Sequence, residues 1–353
     1  MSTDPLIPTS SPFSYGVGIN YESWEVGRTG YSITKDLNQI SHNFHLIRTY
    51  HDAAVGTSTV TIDPTQAKVI NWIVANPGNE LVMGTNNNAL AAGGYGTPFS
   101  AGLMTSKTYT DQWVQMLIDA FGSVANVKMG LKAILLGNEI DANGPAPGSK
   151  HFDDYVNTWI PAAFENLKAS MKAAGLESIP ISTTIANYGA TNKVSVKIPA
   201  YIADNWGSKW NNDDPFVLFN QYTPNFGKST DFGAVKSYLE SVGTTFSGTL
   251  DVFVGETGYS THYGTAKQKK VIKALFEWLD DQRDANNDAN VPLFVFDAFD
   301  RPSATPAYEK KYGIYAENGS SKPTGLKTDL KGVIPSWTDD VQSTASHLSE
   351  SLY

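Results

Sequence analysis

The chain has 353 residues, a formal net charge of −9, 41% hydrophobic and 17% charged residues, and no cysteine. That length suits one large α/β barrel or two ordinary domains, and the acidic balance argues against nucleic acid, whose phosphates need a basic face. The lack of cysteine excludes thiol nucleophiles, disulfides and thiolate metal sites together.

Residues 1–14 are polar and rich in Pro and Ser, with no positively charged start followed by an apolar core. They read as a flexible segment, not a signal peptide. Gly16 to Asn20 predicts a short strand that opens into Tyr21-Glu22-Ser23-Trp24, and Ser32 to Phe44 has helical spacing (Ile33, Leu37, Ile40, Phe44). His45 to Tyr50 is a strand. Pro64 to Ala75 is a helix with Pro at its start and Asp63 as cap. Leu81 to Gly84 is a third strand, ending in Thr85-Asn86-Asn87-Asn88. A Gly-rich loop from Ala91 to Met104 leads to a helix over Thr110 to Phe121.

The fourth strand, Leu131 to Leu136, is an apolar run that stops abruptly in Gly137-Asn138-Glu139. Asp153 to Ala174 is a long helix in which Pro161 predicts a kink or break. Ile179 to Ile185, Phe216 to Asn220, Leu250 to Glu256 and Val291 to Phe299 complete the strands. Helices over Ile198 to Trp206, Phe232 to Val242, Ala266 to Arg283 and Thr328 to Val333 alternate with them. Eight strand–helix pairs imply a parallel sheet closed into a (β/α)₈ barrel spanning residues 15–338; an open doubly wound sheet is the rival. Residues 339–353 form a polar tail. No apolar run reaches the length of a membrane span.

Active sites of such barrels lie at the C-terminal ends of the strands. Those ends carry Tyr21, Arg48, Tyr50, Asn86, Asn88, Asn138, Glu139, Tyr188, Asn220, Tyr222, Glu256, Tyr259, Phe299 and Asp300. The set has no phosphate-binding glycines, no Ser–His pair and no metal triad. It is made of carboxylates, amides, one Arg and aromatic rings, which is the chemistry of sugar binding. Two carboxylates can cleave a glycosidic bond, one protonating the leaving oxygen and one attacking the anomeric carbon. Glu139 and Glu256 end two strands of the same design, an apolar run broken by Gly. Either alone reads equally well as a strand-end carboxylate paired with a neighbouring helix. Arg48 reads as the partner that keeps Glu256 ionised, or as a structural pair with Asp52 or Asp300.

These residues carry a resemblance. Asn138-Glu139 after the fourth strand and Gly255-Glu256-Thr257-Gly258-Tyr259-Ser260 after the seventh resemble the retaining glycoside hydrolases of barrel fold. Gly16 to Tyr21, Ile47-Arg48-Thr49-Tyr50, Phe294 to Asp300 and Tyr308 to Tyr315 resemble, more narrowly, glycoside hydrolase family 17, the β-1,3-glucanases and β-1,3-glucanosyltransferases. The resemblance implies that Glu139 is the acid/base and Glu256 the nucleophile. Tyr21, Arg48, Tyr50, Asn86, Asn138, Tyr222, Tyr259, Phe299 and Asp300 would bind substrate. It implies a β-glucan polysaccharide or oligosaccharide as partner, a monomer without cofactor or metal, and a secreted, cell-envelope or periplasmic location. Hydrolysis and glucosyl transfer both stay open, as does a non-catalytic glucan-binding barrel. The chain departs from the family where Arg301 and Ala304 follow Asp300 in place of Glu and Lys, and where the sixth strand reads Asn220-Gln221-Tyr222-Thr223-Pro224.

Weaker signals read as structure. Asp284 to Asn290 opens like a calcium loop, but Ala289 stands where the turn needs Gly and Val295 where a Glu is required. His42 and His45 suit a helix end. Asn318-Gly319-Ser320 is a glycosylation acceptor triplet of a kind that arises by chance, and Tyr95 and Phe226, like Tyr21, read equally well as sugar platforms or as rim packing.

Overall fold

The structure is a computed structural model that describes residues 13, 16–24, 27–53, 60–94, 97–186, 193–206, 210, 216–223, 229–237, 250–285, 293–318 and 322–335. The N-terminal segment other than Phe13, the tail 339–353, Tyr95, Tyr188, Phe226, residues 286–290 and residues 319–320 lie outside the described residues.

The strands follow the apolar runs. Val17–Asn20, Leu46–Thr49, Glu80–Gly84, Leu131–Leu135, Ile181–Ser182 with Thr184–Ile185, Phe216–Asn220, Asp251–Thr257 and Leu293–Val295 occupy eight successive positions in one parallel sheet. The first pairs with both the second and the eighth, Ile19 standing opposite Ile47 and Val295. The fifth is interrupted at Thr183. Its first half pairs with the fourth (Ile134 with Ile181) and its second half with the sixth (Thr184 with Leu218), which closes the ring. The expected (β/α)₈ barrel is therefore the fold. Its strands are buried on both faces, which is why they read as continuous apolar runs without alternation.

Leu46, Val82, Ala133, Leu135, Phe216, Leu218, Phe253 and Phe294 fill the barrel's interior. Gly18 leaves room for this layer, since a Cβ there would lie 2.5 Å from the Phe294 ring. Phe13 belongs to the same cluster, with its ring edge-on to Phe216, Phe253 and Phe294 at 6.3, 5.9 and 6.0 Å. This residue of the segment read as flexible is thus buried.

Capping decides where the outer helices begin. The Asp63 carboxylate accepts from the N–H groups of Thr65 and Gln66 and starts Pro64–Ala75. Ser106 caps Lys107–Phe121, which therefore begins three residues before the expected Thr110. The long helix expected over 153–174 has three segments, Phe152–Asp154, a π-helical Tyr155–Trp159 and Ile160–Ala173. The wide turn precedes Pro161, in the first turn of the last segment, and accommodates the N–H that proline lacks.

The loop after the third strand and the last helix also differ from expectation. The Gly-rich loop is an antiparallel hairpin, Ala91–Gly94 against Thr97–Ala101. The last helix shrinks to a 3-10 turn, Thr328–Leu330, closed by the Val333 N–H on the Leu330 carbonyl. An antiparallel ribbon, Tyr315–Glu317 with Pro323–Leu326, precedes it. No helix among the described residues is long and apolar enough to cross a membrane.

Candidate active site

Glu139 follows the fourth strand in a turn fixed by side chains of the third. The Gly137 N–H donates to Thr85 Oγ1 (2.9 Å) and the Asn138 N–H to Asn87 Oδ1 (2.7 Å). Asn143 Nδ2 donates back to the carbonyls of Asn138 and Glu139 at 3.0 and 3.2 Å. Within this clasp Glu139 adopts φ 50°, the only positive φ of a non-glycine among the described residues. That conformation costs an L-residue on the order of 1–2 kcal/mol. The turn aims the carboxylate at the sixth strand, where Asn220 Nδ2 donates to Oε1 at 3.0 Å.

Glu256 is aimed by a bulge. Pairing of the sixth and seventh strands shifts register between Val254 and Glu256, so that Gly255 is skipped and Glu256 faces Asn220. The freed Gly255 carbonyl accepts from Arg48 Nη1 (2.6 Å) and Asn20 Nδ2 (3.1 Å). Three donors then converge on the Glu256 carboxylate. Arg48 Nη1 lies 3.3 Å and the Tyr50 hydroxyl 2.8 Å from Oε1, and the Tyr222 hydroxyl 2.8 Å from Oε2. Arg48, 1% exposed, is itself held by Asn20, Asn138 and Thr184.

The two carboxylates thus meet opposite environments. Burial, then the charge of Glu256, push the Glu139 carboxyl up to about 7, with the Asn220 hydrogen bond pulling the other way. Glu256 instead collects a guanidinium and two phenols, each of which stabilises the anion. Both phenols stay neutral and able to donate, because burial raises Tyr50 and Tyr222 well above 10.

Both glutamates line one cavity of about 460 Å³ at the C-terminal ends of the strands. Tyr50, Asn86, Asn138 and Tyr222 line it with them, and Arg48 supports it from behind. Arg48 pairs with neither of its other candidate acids. Asp52 accepts from Trp113 Nε1 (2.7 Å) and the Asn86 N–H (3.1 Å), and Asp300 faces Lys327 and Lys311.

The structure does not bring Tyr21, Tyr259, Phe299 or Asp300 into this cavity. The Tyr21 hydroxyl donates to Asp36, on the helix side of the sheet. Tyr259 is fully buried. Phe299 lies under the Arg28 guanidinium, and Asp300 accepts from the Gly313 N–H as well as from Lys327.

In their place stand Glu22, Trp24, His51, Phe296, Arg301 and Glu309. Side-chain alternation held the signal for the first two. Asn20 points at Arg48, so Glu22 points inward and Tyr21 does not. For Arg301 the signal was its departure from the family pattern.

No family model and no curated protein matches the chain. Solved structures do. One of two plant β-glucan endohydrolases with distinct substrate specificities aligns with TM-score 0.59 at 16% identity, over 84% of this chain and 96% of its own. An endo-laminarinase from Formosa gives 0.58 at 16% identity over 94% of each chain. A family 17 β-1,3-glucanosyltransferase from Rhizomucor miehei gives 0.56 at 16% identity, over 88% and 95%. At this identity the likeness is one of fold, and the chain has the barrel on which these glycosidases and transferases are built.

Proposed function

We propose that the chain is a retaining glycosidase acting on β-1,3-linked glucan, with Glu256 as nucleophile and Glu139 as acid/base. One observation carries the reading. Two carboxylates line a single cavity, one raised to about 7 by burial and its neighbour's charge, the other held by Arg48, Tyr50 and Tyr222. A raised acid facing a carboxylate held by three donors divides the labour of glycosidic cleavage. The β-1,3 linkage rests on the family resemblance and on the named activities of the solved barrels.

In this mechanism a Glu256 oxygen attacks the anomeric carbon while the bond to the leaving sugar breaks. Glu139 gives its proton to the departing oxygen, and a glucosyl ester on Glu256 remains. Glu139, now ionised, takes the proton of an incoming hydroxyl, whose oxygen displaces Glu256 from the same carbon. Water as acceptor gives hydrolysis, and a sugar hydroxyl gives transfer. A group near 7 serves both steps, because it is neither too weak an acid in the first nor too weak a base in the second.

The test is to incubate the protein and its Glu256→Ala variant with β-1,3-gluco-oligosaccharides and follow product length and anomeric configuration. Shorter products of retained configuration, absent in the variant, are expected. Longer products as well would make the chain a transferase. Inverted configuration would refute the double displacement. Binding without turnover by the wild type would leave a glucan-binding barrel.

A further inference from the structure

Glu22, Arg301 and Glu309 form a charged cluster on the cavity wall that the two-carboxylate mechanism does not use. Arg301 Nε donates to Glu22 Oε2 at 2.7 Å and Nη1 to Glu309 Oε2 at 3.3 Å. The guanidinium lies over the Phe296 ring, 5.4 Å from its centroid, and the other neighbours of that ring include Tyr222. Glu22 is 9% exposed at its side chain. Its Oε1 and the Arg301 Nη2 make no hydrogen bond among the described residues. Asp297 is buried nearby, and burial and then the charge of Glu22 raise its acid. Burial lifts Glu22 to about 7 against the pull of Arg301.

Side by side, then, stand an unfilled carboxylate oxygen and an unfilled guanidinium N–H. A sugar hydroxyl donates one hydrogen bond and accepts others, so two adjacent hydroxyls present the complementary pair. Trp24 supplies the apolar surface beside them. It stacks on His51 with ring centroids 3.9 Å apart and planes 8° apart, and it lines the same cavity. Burial keeps His51 below its ordinary value, which favours the neutral ring.

The cluster also has a side. The charge of Glu256 acts on both Glu22 and Glu309, whereas the groups that act on Glu139 are Glu256, Asn220, Asp141 and Arg48. It belongs to the nucleophile's side of the cavity, where the sugar that is transferred must sit.

We propose that Glu22 and Arg301, with Trp24, form the specificity-determining subsite for the glycone, binding a vicinal diol of the sugar whose anomeric carbon Glu256 attacks. The inference rests on the glycosidase reading and adds to it the residues that choose the donor sugar. It assigns donor recognition to the loops after the first and eighth strands.

The test compares a β-1,3-linked glucotriose with analogues lacking one hydroxyl of the donor unit, using the wild type, Glu22→Gln and Arg301→Lys. The wild type should cleave at least one analogue about tenfold or more slowly, as loss of a hydrogen bond to a charged group requires. In both variants that penalty should shrink to about threefold or less. A purely structural role would lower activity on parent and analogue alike and leave the ratio unmoved, which would overturn the proposal. Calorimetric titration of the triose into Glu256→Ala and into Glu256→Ala/Glu22→Gln is independent of turnover. A tenfold weaker affinity in the double variant would uphold the subsite even where the wild type proves inactive. Equal affinity, or no binding to either, would overturn it.

Discussion

The raised carboxyl of Glu139 should be visible as a pH-dependent cost to the fold. Its value is about 7 instead of 4.5. At about 1.4 kcal/mol for each tenfold, the folded state disfavours the charged form by at most about 3.5 kcal/mol. Below 4.5 the group is neutral whether the chain is folded or not, and nothing is lost. Between 4.5 and 7 the unfolded chain gives up the proton while the folded chain keeps it, so stability falls. Above 7 the whole penalty is present. Glu139→Gln removes the charge and keeps an oxygen for Asn220 Nδ2. The variant should therefore melt with the wild type at pH 4 and above it at pH 8.5. A chain of 353 residues unfolds with an entropy of about 0.7 kcal/mol/K, which makes the gap at most about 5 °C. Glu22, also near 7, titrates in both proteins and cancels. Scanning calorimetry at the two pH values decides. An equal gap at both, or a wild type that melts higher at pH 8.5, would refute the reasoning.

Three further substitutions probe how the pair is held. Tyr222→Phe deletes a donor to the Glu256 carboxylate and should lower kcat on β-1,3-gluco-oligosaccharides by about ten- to a hundredfold, as a hydrogen bond to a charged group is worth about 1.5–3 kcal/mol. Arg48→Met leaves Glu256, Asn138 and the Gly255 carbonyl without their buried cation and should cost about 3–5 kcal/mol in urea unfolding. Gly137→Ala forces a side chain onto φ 71° and places a Cβ 2.7 Å from Asn87 Oδ1. It should cost at least about 1–2 kcal/mol of stability and lower kcat/KM by displacing Glu139, with oligosaccharide binding to the nucleophile side intact by calorimetry.

The barrel was legible because its strands are buried on both faces and write themselves as apolar runs. The two glutamates were legible because each such run stops at Gly and then offers an acid. The rest of the site depended on which way a side chain faces. Residue type points to Tyr21, whereas alternation from Asn20 places Glu22 inward. Phe299 and Asp300 follow the eighth strand and matched the family pattern, yet they pack under Arg28 and beside Lys327, while Phe296 and Arg301 take the cavity. The hairpin at 91–101 was hidden because small and glycine-rich residues carry little strand pattern of their own.

What local sequence could not hold is the difference between the glutamates. Both end an apolar run at a glycine, and each turns into the cavity by a backbone irregularity, a left-handed residue in one case and a bulge in the other. Their roles come from elsewhere in the chain. Arg48 and Tyr50 from the second strand and Tyr222 from the sixth all reach Glu256. Glu139 receives Asn220 and little else, and then bears the charge of its neighbour. Burial and the Glu256 charge raise Glu139, whereas the cation that holds Glu256 pulls the other way. In the proposed mechanism acid and nucleophile are therefore one arrangement. Removing Arg48 should lower the rate of ester formation by unseating Glu256, while taking away one of the groups that pull the Glu139 carboxyl down. A pH–rate profile in Arg48→Lys, where a cation remains but the fork to Gly255, Asn138 and Thr184 does not, separates the charge from the geometry. An alkaline limb still near 7 with a depressed maximum would mean that position, and not charge alone, makes the nucleophile.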